Sequence, residues 1–224
     1  MASRARPQEP RELTRDVRPE TFTLVLTLGG RPAGEMAWHV ALDRGLLVAR
    51  VTTDFGGVLP DLRRVQTSKM HPQRLVSLGY AEGDGKRATF ESLPDDKTAL
   101  LTVRQGRDEA SAPLVTDLHD PISLLWWLRS LQDEDRAEVR MVGGRAIVRR
   151  LANDTVNGVA AVVYEIRPGG ALVHVEDAPE RRLLRLVQPT DFGPIDATLR
   201  EDRPRRTPEP RQEKRGEPSR RRRR

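Results

Sequence analysis

Four histidines, His39, His71, His119 and His174, are the side chains of this 224-residue sequence able to act as a base near neutral pH or to offer a ring nitrogen to a metal. No two stand four residues apart with a glutamate between them, the helical spacing of a zinc protease. No cysteine is present, which removes disulfides, thiolate metal sites and cysteine nucleophiles together. His39 alternates with core positions and is predicted to face solvent. The carboxylates Asp54, Glu165, Glu176 and Asp177 have the chemistry of a general acid and base, but their pairing cannot be read from spacing. No G-x-S-x-G elbow occurs. "EGDGKR" around Asp84 lacks the further acidic ligands of a calcium loop, and neither "GGRPAG" nor "VGGR" leads into the lysine-serine pair of a phosphate loop. The sequence therefore predicts turns at these places, no catalytic residue, no metal site and no cofactor.

Two other groups of side chains suit binding. Trp38, Trp126 and Trp127 are predicted to face or flank one concave surface, either filling a core or lining an apolar pocket. Arg129 lies on the apolar side of the helix predicted around Trp126 and Trp127 and, if buried, requires a carboxylate or carbonyl partner. These four residues are the predicted contacts for a lipid-like ligand, with Arg129 holding an acidic head group. At the other end, Arg220, Arg221, Arg222, Arg223 and Arg224 form a run able to neutralise phosphates of nucleic acid or of an anionic membrane without reading sequence.

The elements that must position these groups follow from hydrophobic period. Residues 21–28 place Phe22, Leu24, Leu26 and Leu28 on one face, and Met36, Trp38, Val40 and Leu42 repeat the alternation after a glycine- and proline-rich turn. Further strands are predicted at 46–55, 62–68, 74–81, 87–93, 98–105, 137–142, 145–151, 159–167, 171–176, 182–188 and 195–199. Short turns between most of them predict an antiparallel meander of about 12 strands. Twist accumulates across so wide a sheet until it curls or closes, so the expected fold class is mainly β, a strongly curved antiparallel sheet or barrel-like meander. The exception is "DPISLLWWLRSLQ", where Asp120 is an N-cap, Pro121 takes the first helical position and apolar side chains point almost all round. It predicts one buried central helix over about 121–132, roughly 18 Å long.

Charge divides the chain. The formal net charge of +6 resolves into +7 from residues 200–224, +1 from residues 1–20 and −2 from the residues between. A flexible charged arm (1–19), a single β-rich domain (20–199) and a disordered arginine- and proline-rich basic tail (200–224) are expected, with any polyanion binding assigned to the tail. No apolar run reaches the roughly 18 residues that span a bilayer, and the first twenty residues carry no apolar core of a signal peptide. As it stands the sequence predicts a soluble, cytoplasmic protein, the alternative being the periplasm or envelope if the start is misassigned.

"GGRPAGEM" ending at Met36, "HDPISLLWWLR" and "PGGALVHVEDAPERRLLRLVQPTDFGPIDATL" from Pro168 to Leu199 resemble the bacterial family called domain of unknown function 3108. Gly30 and Gly34 match its hairpin glycines, Asp120, Ser123, Trp127, Leu128 and Arg129 its helix, and Gly193 its last turn. The resemblance covers residues 22–199 and implies a β-rich, barrel-like envelope protein with no established activity. Together these readings predict a non-enzymatic module for a lipid-like or apolar molecule in the concave face. The alternatives are a structural or partner-binding protein with a filled core and a polyanion-binding tail, and third a hydrolase using carboxylates. Oligomeric state is not predicted.

Overall fold

The computed structural model describes residues 18–131 and 134–200. The chain opens with β1 (Glu20–Leu28), β2 (Arg31–Asp43), β3 (Leu46–Phe55) and β4 (Leu62–Met70). It continues through β5 (Ser77–Gly83), β6 (Ala88–Asp95), β7 (Leu100–Gln105), β8 (Asp108–Pro113) and β9 (Leu118–His119). One helix follows, α1 (Pro121–Leu128), and then β10 (Arg136–Met141), β11 (Gly144–Arg150) and β12 (Asp154–Val156). The last strands are β13 (Val159–Arg167), β14 (Ala171–Glu176), β15 (Leu183–Gln188) and β16 (Ile195–Leu199).

All sixteen strands belong to one sheet, so the expected count of about 12 is corrected upward. The three strands that hydrophobic period does not reveal are β8, β9 and β12. Strand β8 is "DEASAP", exposed at all six positions, while β9 and β12 have only two and three residues. None is long or apolar enough to alternate. The sheet is also mixed rather than wholly antiparallel, because β9 runs parallel to β10. Nor is it a simple meander: β1 lies between β2 and β16, so the first and last strands of the described residues are neighbours. The hydrogen-bonded path is open, with β8 at one end and β9 at the other.

Local chemistry accounts for the hairpins. Gly29 and Gly30 both have positive φ, the tight turn that matches strand twist between β1 and β2. Gly34, at φ +126, lets the backbones of β2 and β3 approach where a Cβ would strike the Asp54 carbonyl. One cluster of buried side chains draws on β1–β5, α1, β10, β11 and β13–β16, including Leu24, Val40, Met70, Leu128, Val148, Tyr164 and Val175. A flat sheet this wide could not bring those strands to a common core, so the sheet curls around it.

The helix is shorter than expected, eight residues and about 12 Å long. Asp120 caps it with Pro121 at its start, as its sequence dictates, and Ser123 completes a reciprocal capping box. Beyond Leu128 the chain tightens: Ser130 N donates to Trp127 O and Leu131 N to Leu128 O, closing turns one residue smaller than α. Ile122, Leu124, Trp126 and Leu128 are buried in the core cluster. No helix of the described residues is long and apolar enough to cross a membrane.

Candidate functional site

Three sites are built on this frame. The first is aromatic. Phe22 on β1 and Trp38 on β2 are cross-strand partners, and their rings stack at 5.5 Å. Trp126 of α1 lies on the same pile, 5.3 Å from Trp38 and 6.4 Å from Phe22. Arg129 covers the outer side, its guanidinium carbon 4.7 Å from the Trp126 ring centre. Arg129 finds both of the partners its burial requires: Nη1 and Nη2 donate to the two carboxylate oxygens of Glu20, and Nε donates to the Arg181 carbonyl at 2.7 Å. Arg181 returns the contact, donating to the carbonyls of Arg129 and Leu131 and to the Tyr164 hydroxyl. This arginine pair ties the end of α1 to β1 and to the loop before β15. Trp127 is not in the stack. It is half-buried and tilted against His119, 5.6 Å away.

The second site is polar and lies on the core side of β4 and β5. The register aligns Ala49, Ser68, Tyr80 and Ser92 in one cross-strand row and Val51, Gln66, Glu82 and Phe90 in the next. The Tyr80 hydroxyl donates to Glu82 at 2.7 Å and accepts from Gln66 at 2.6 Å, while Arg64 donates to the same Glu82 oxygen at 2.7 Å. Burial pushes the Tyr80 hydroxyl well above its ordinary range, and the bond to Glu82 adds to that. Burial also raises Glu82, but the bonds from Arg64 and Tyr80 outweigh it and hold the carboxyl below its usual value. Beside this network Ser68 donates to the fully buried Asp120 at 2.6 Å. Burial raises Asp120 against the bonds it accepts, and lowers the neighbouring His119 to about 4.

The third site is a cleft of about 580 Å³. Strand β16 has five residues against nine in β1, so it stops at Leu199, opposite Leu24; Arg200 adds one bond to Thr23, and among the described residues 20–22 have no neighbour on that side. The gap opens between this stretch of β1, the β12–β13 turn and the start of β15. Phe22, Val156, Val159, Leu183, Leu184 and Leu199 supply its apolar lining, and Glu20, Asn157, Arg182 and Arg200 its polar rim. None of Trp38, Trp126, Trp127 and Arg129 lines it, but two cleft residues touch them: Phe22 through the stack and Glu20 through Arg129.

The histidines do not converge. His39 is exposed and bonded to Thr21, His71 accepts two backbone bonds in its own turn, and His174 is paired with Asp154 at 3.3 Å. The four carboxylates singled out by chemistry each meet a different group: Asp54 faces Arg63, Glu165 faces Arg149 and Arg167, Glu176 faces Arg182, and Asp177 faces Asn153. No group of three acidic or histidine side chains among the described residues is placed to hold a metal. Arg220–Arg224 lie outside the described residues. Sequence reasoning missed the cleft, the Arg181 clamp and the Gln66–Tyr80–Glu82 network. The unequal lengths of β1 and β16 were visible as a signal, but their pairing was not.

No family model matches the chain, and no curated protein matches it. The assignment to domain of unknown function 3108 thus has no support, although a β-rich domain of unknown function is consistent with the fold. Among solved structures the chain is similar to a β-barrel-like protein of domain of unknown function DUF1849 from Brucella abortus. The likeness covers 82% of this chain and 96% of that one at 11% identity, with a TM-score of 0.48.

Proposed function

We propose that the protein is a non-catalytic binding module for a molecule with an apolar chain, and that the chain lies in the cleft between β1, β15 and the β12–β13 turn. The observation that carries this reading is the cleft itself, whose volume of about 580 Å³ falls in the range of small-molecule sites and whose mixed lining sets Phe22, Val156, Val159, Leu183, Leu184 and Leu199 beside polar and charged residues. Trp38, Trp126 and Arg129 support it from behind by fixing Phe22 and Glu20, whereas Trp127 packs against His119 and has no part in it. The experiment is a titration with an apolar fluorescent dye such as Nile red. Saturable binding with a change in tryptophan emission is expected, weakened about tenfold or more by Val159→Asp, which sets a carboxylate among the apolar side chains. If no saturable binding occurs, the filled-core reading replaces this one, and the close aromatic stack favours that alternative for the tryptophans.

The basic end of the chain has a separate proposed role in polyanion contact through Arg220–Arg224. Five arginines neutralising about five phosphates give a log K that falls with log salt at a slope of about −4 to −5. Comparison of the full chain with one ending at Arg200, on DNA and on anionic vesicles, tests it: equal binding by both removes the assignment.

A further inference from the structure

Resting on the cleft-binding reading, we infer that the molecule taken there is an N-acylated aminoacyl group: an apolar chain joined through an amide to an uncharged residue. Two independent observations lead to it. The first is backbone geometry. In a strand with two neighbours the N–H and C=O of one residue point to the same side, and successive residues alternate. Arg200 N donates to Thr23 O at 2.8 Å, the last rung between β1 and the β16 side among the described residues. Thr21, two residues earlier, therefore turns its N–H and C=O the same way, past the end of β16 and into the cleft that it lines. Among the described residues neither group has a backbone partner on that side. Its side chain is engaged elsewhere, with His39 at 3.1 Å. A strand edge with this pair of groups turned outward is satisfied by one extended residue, whose own N–H meets the Thr21 carbonyl and whose C=O meets the Thr21 N–H.

The second observation is charge. Each ionised side chain at the rim already has a counter-ion. Arg182 is held bidentately by Glu176 at 2.8 and 2.7 Å, Arg200 by Glu35, and Glu20 by Arg129. No charge is left over to favour a carboxylate or an ammonium head, and either would be desolvated against Phe22, Leu183 and Leu184. An aminoacyl group with its carboxyl masked is neutral, presents the donor and acceptor that Thr21 requires, and lets its acyl chain run over the apolar lining.

Titration calorimetry of the full chain against four probes of equal chain length tests this. They are N-dodecanoylglycine methyl ester, the oxygen analogue in which the amide N–H is replaced by an ester oxygen, N-dodecanoylglycine, and dodecylamine. The first is expected to bind tightest, about fivefold above the oxygen analogue for one lost hydrogen bond, and further above the two charged probes. In Thr21→Pro, which deletes the N–H that faces away from β2 together with the side-chain bond to His39, the methyl ester should weaken by a similar factor. Because that variant can be disturbed in folding, amide exchange at Thr21 in the unaltered chain gives a second reading: fast without probe, slowed by the methyl ester. Equal affinity for the amide and its oxygen analogue, tighter binding of the acid, or a Thr21 amide already protected without probe would each overturn the inference. If none of the four probes binds, the cleft-binding reading fails with it. If all four bind alike, only the choice of head group fails.

Discussion

The core side of the sheet is filled in two different ways. From β1 and β2 round to β13–β15 it is apolar, with Leu24, Leu26, Trp38, Val40, Val162, Val173 and Val175 all nearly inaccessible. Across β4–β6 the same side carries Gln66, Ser68, Tyr80, Glu82 and Ser92, and the stability of that region rests on the hydrogen bonds that the first four make, the buried Ser92 hydroxyl having no partner among the described residues. Apolar packing is non-directional and loses energy in proportion to the volume removed. A buried polar network is nearly neutral when complete and is damaged by loss of a single partner. The first region should therefore respond to size and the second to pH and to isosteric changes.

The largest effect is expected in the apolar region. Trp38→Ala removes the ring that meets both Phe22 and Trp126 most closely and should destabilise by about 3 to 5 kcal/mol in denaturant unfolding. Loss of the stack's near-ultraviolet dichroism should accompany it.

Acid should separate the regions next. His119, 3% exposed and lowered to about 4, is neutral in the folded protein where the unfolded chain takes up a proton. Its contribution is fully present above about pH 6.5 and is lost as pH falls from there toward 4, by up to roughly 3 kcal/mol. Asp120, raised by burial, acts in the opposite sense, so the comparison is with His119→Gln. That variant should show a flatter stability profile between pH 6.5 and 4. An unchanged profile would remove His119 as the cause.

Tyr80→Phe keeps the shape of the polar region and deletes one hydroxyl, leaving Gln66 and Glu82 each short of a partner. A loss of about 1 to 3 kcal/mol is expected by thermal melting. The smallest effect belongs to neither region: Arg104→Gln breaks an exposed pair with Glu109 on β7 and β8 and should leave the melting midpoint unchanged.

Much of this architecture could be read in advance because its signals are local. Period two placed β3, β13, β14 and β16 at their observed limits, and the aspartate-proline start fixed where α1 begins. The need of Arg129 for an anion or carbonyl also followed from its place on an apolar helix. The identity of those partners did not follow, since Glu20 and Arg181 are 109 and 52 residues away. Tyr80 and Glu82 alternate like any half-buried pair, and only the curl of the sheet turns them inward beside Gln66. The cleft belongs wholly to the tertiary level. Residue types along β1 give no sign that β16 will stop opposite Leu24, because a strand's own sequence sets which faces it presents but not which neighbour it meets or where that neighbour ends.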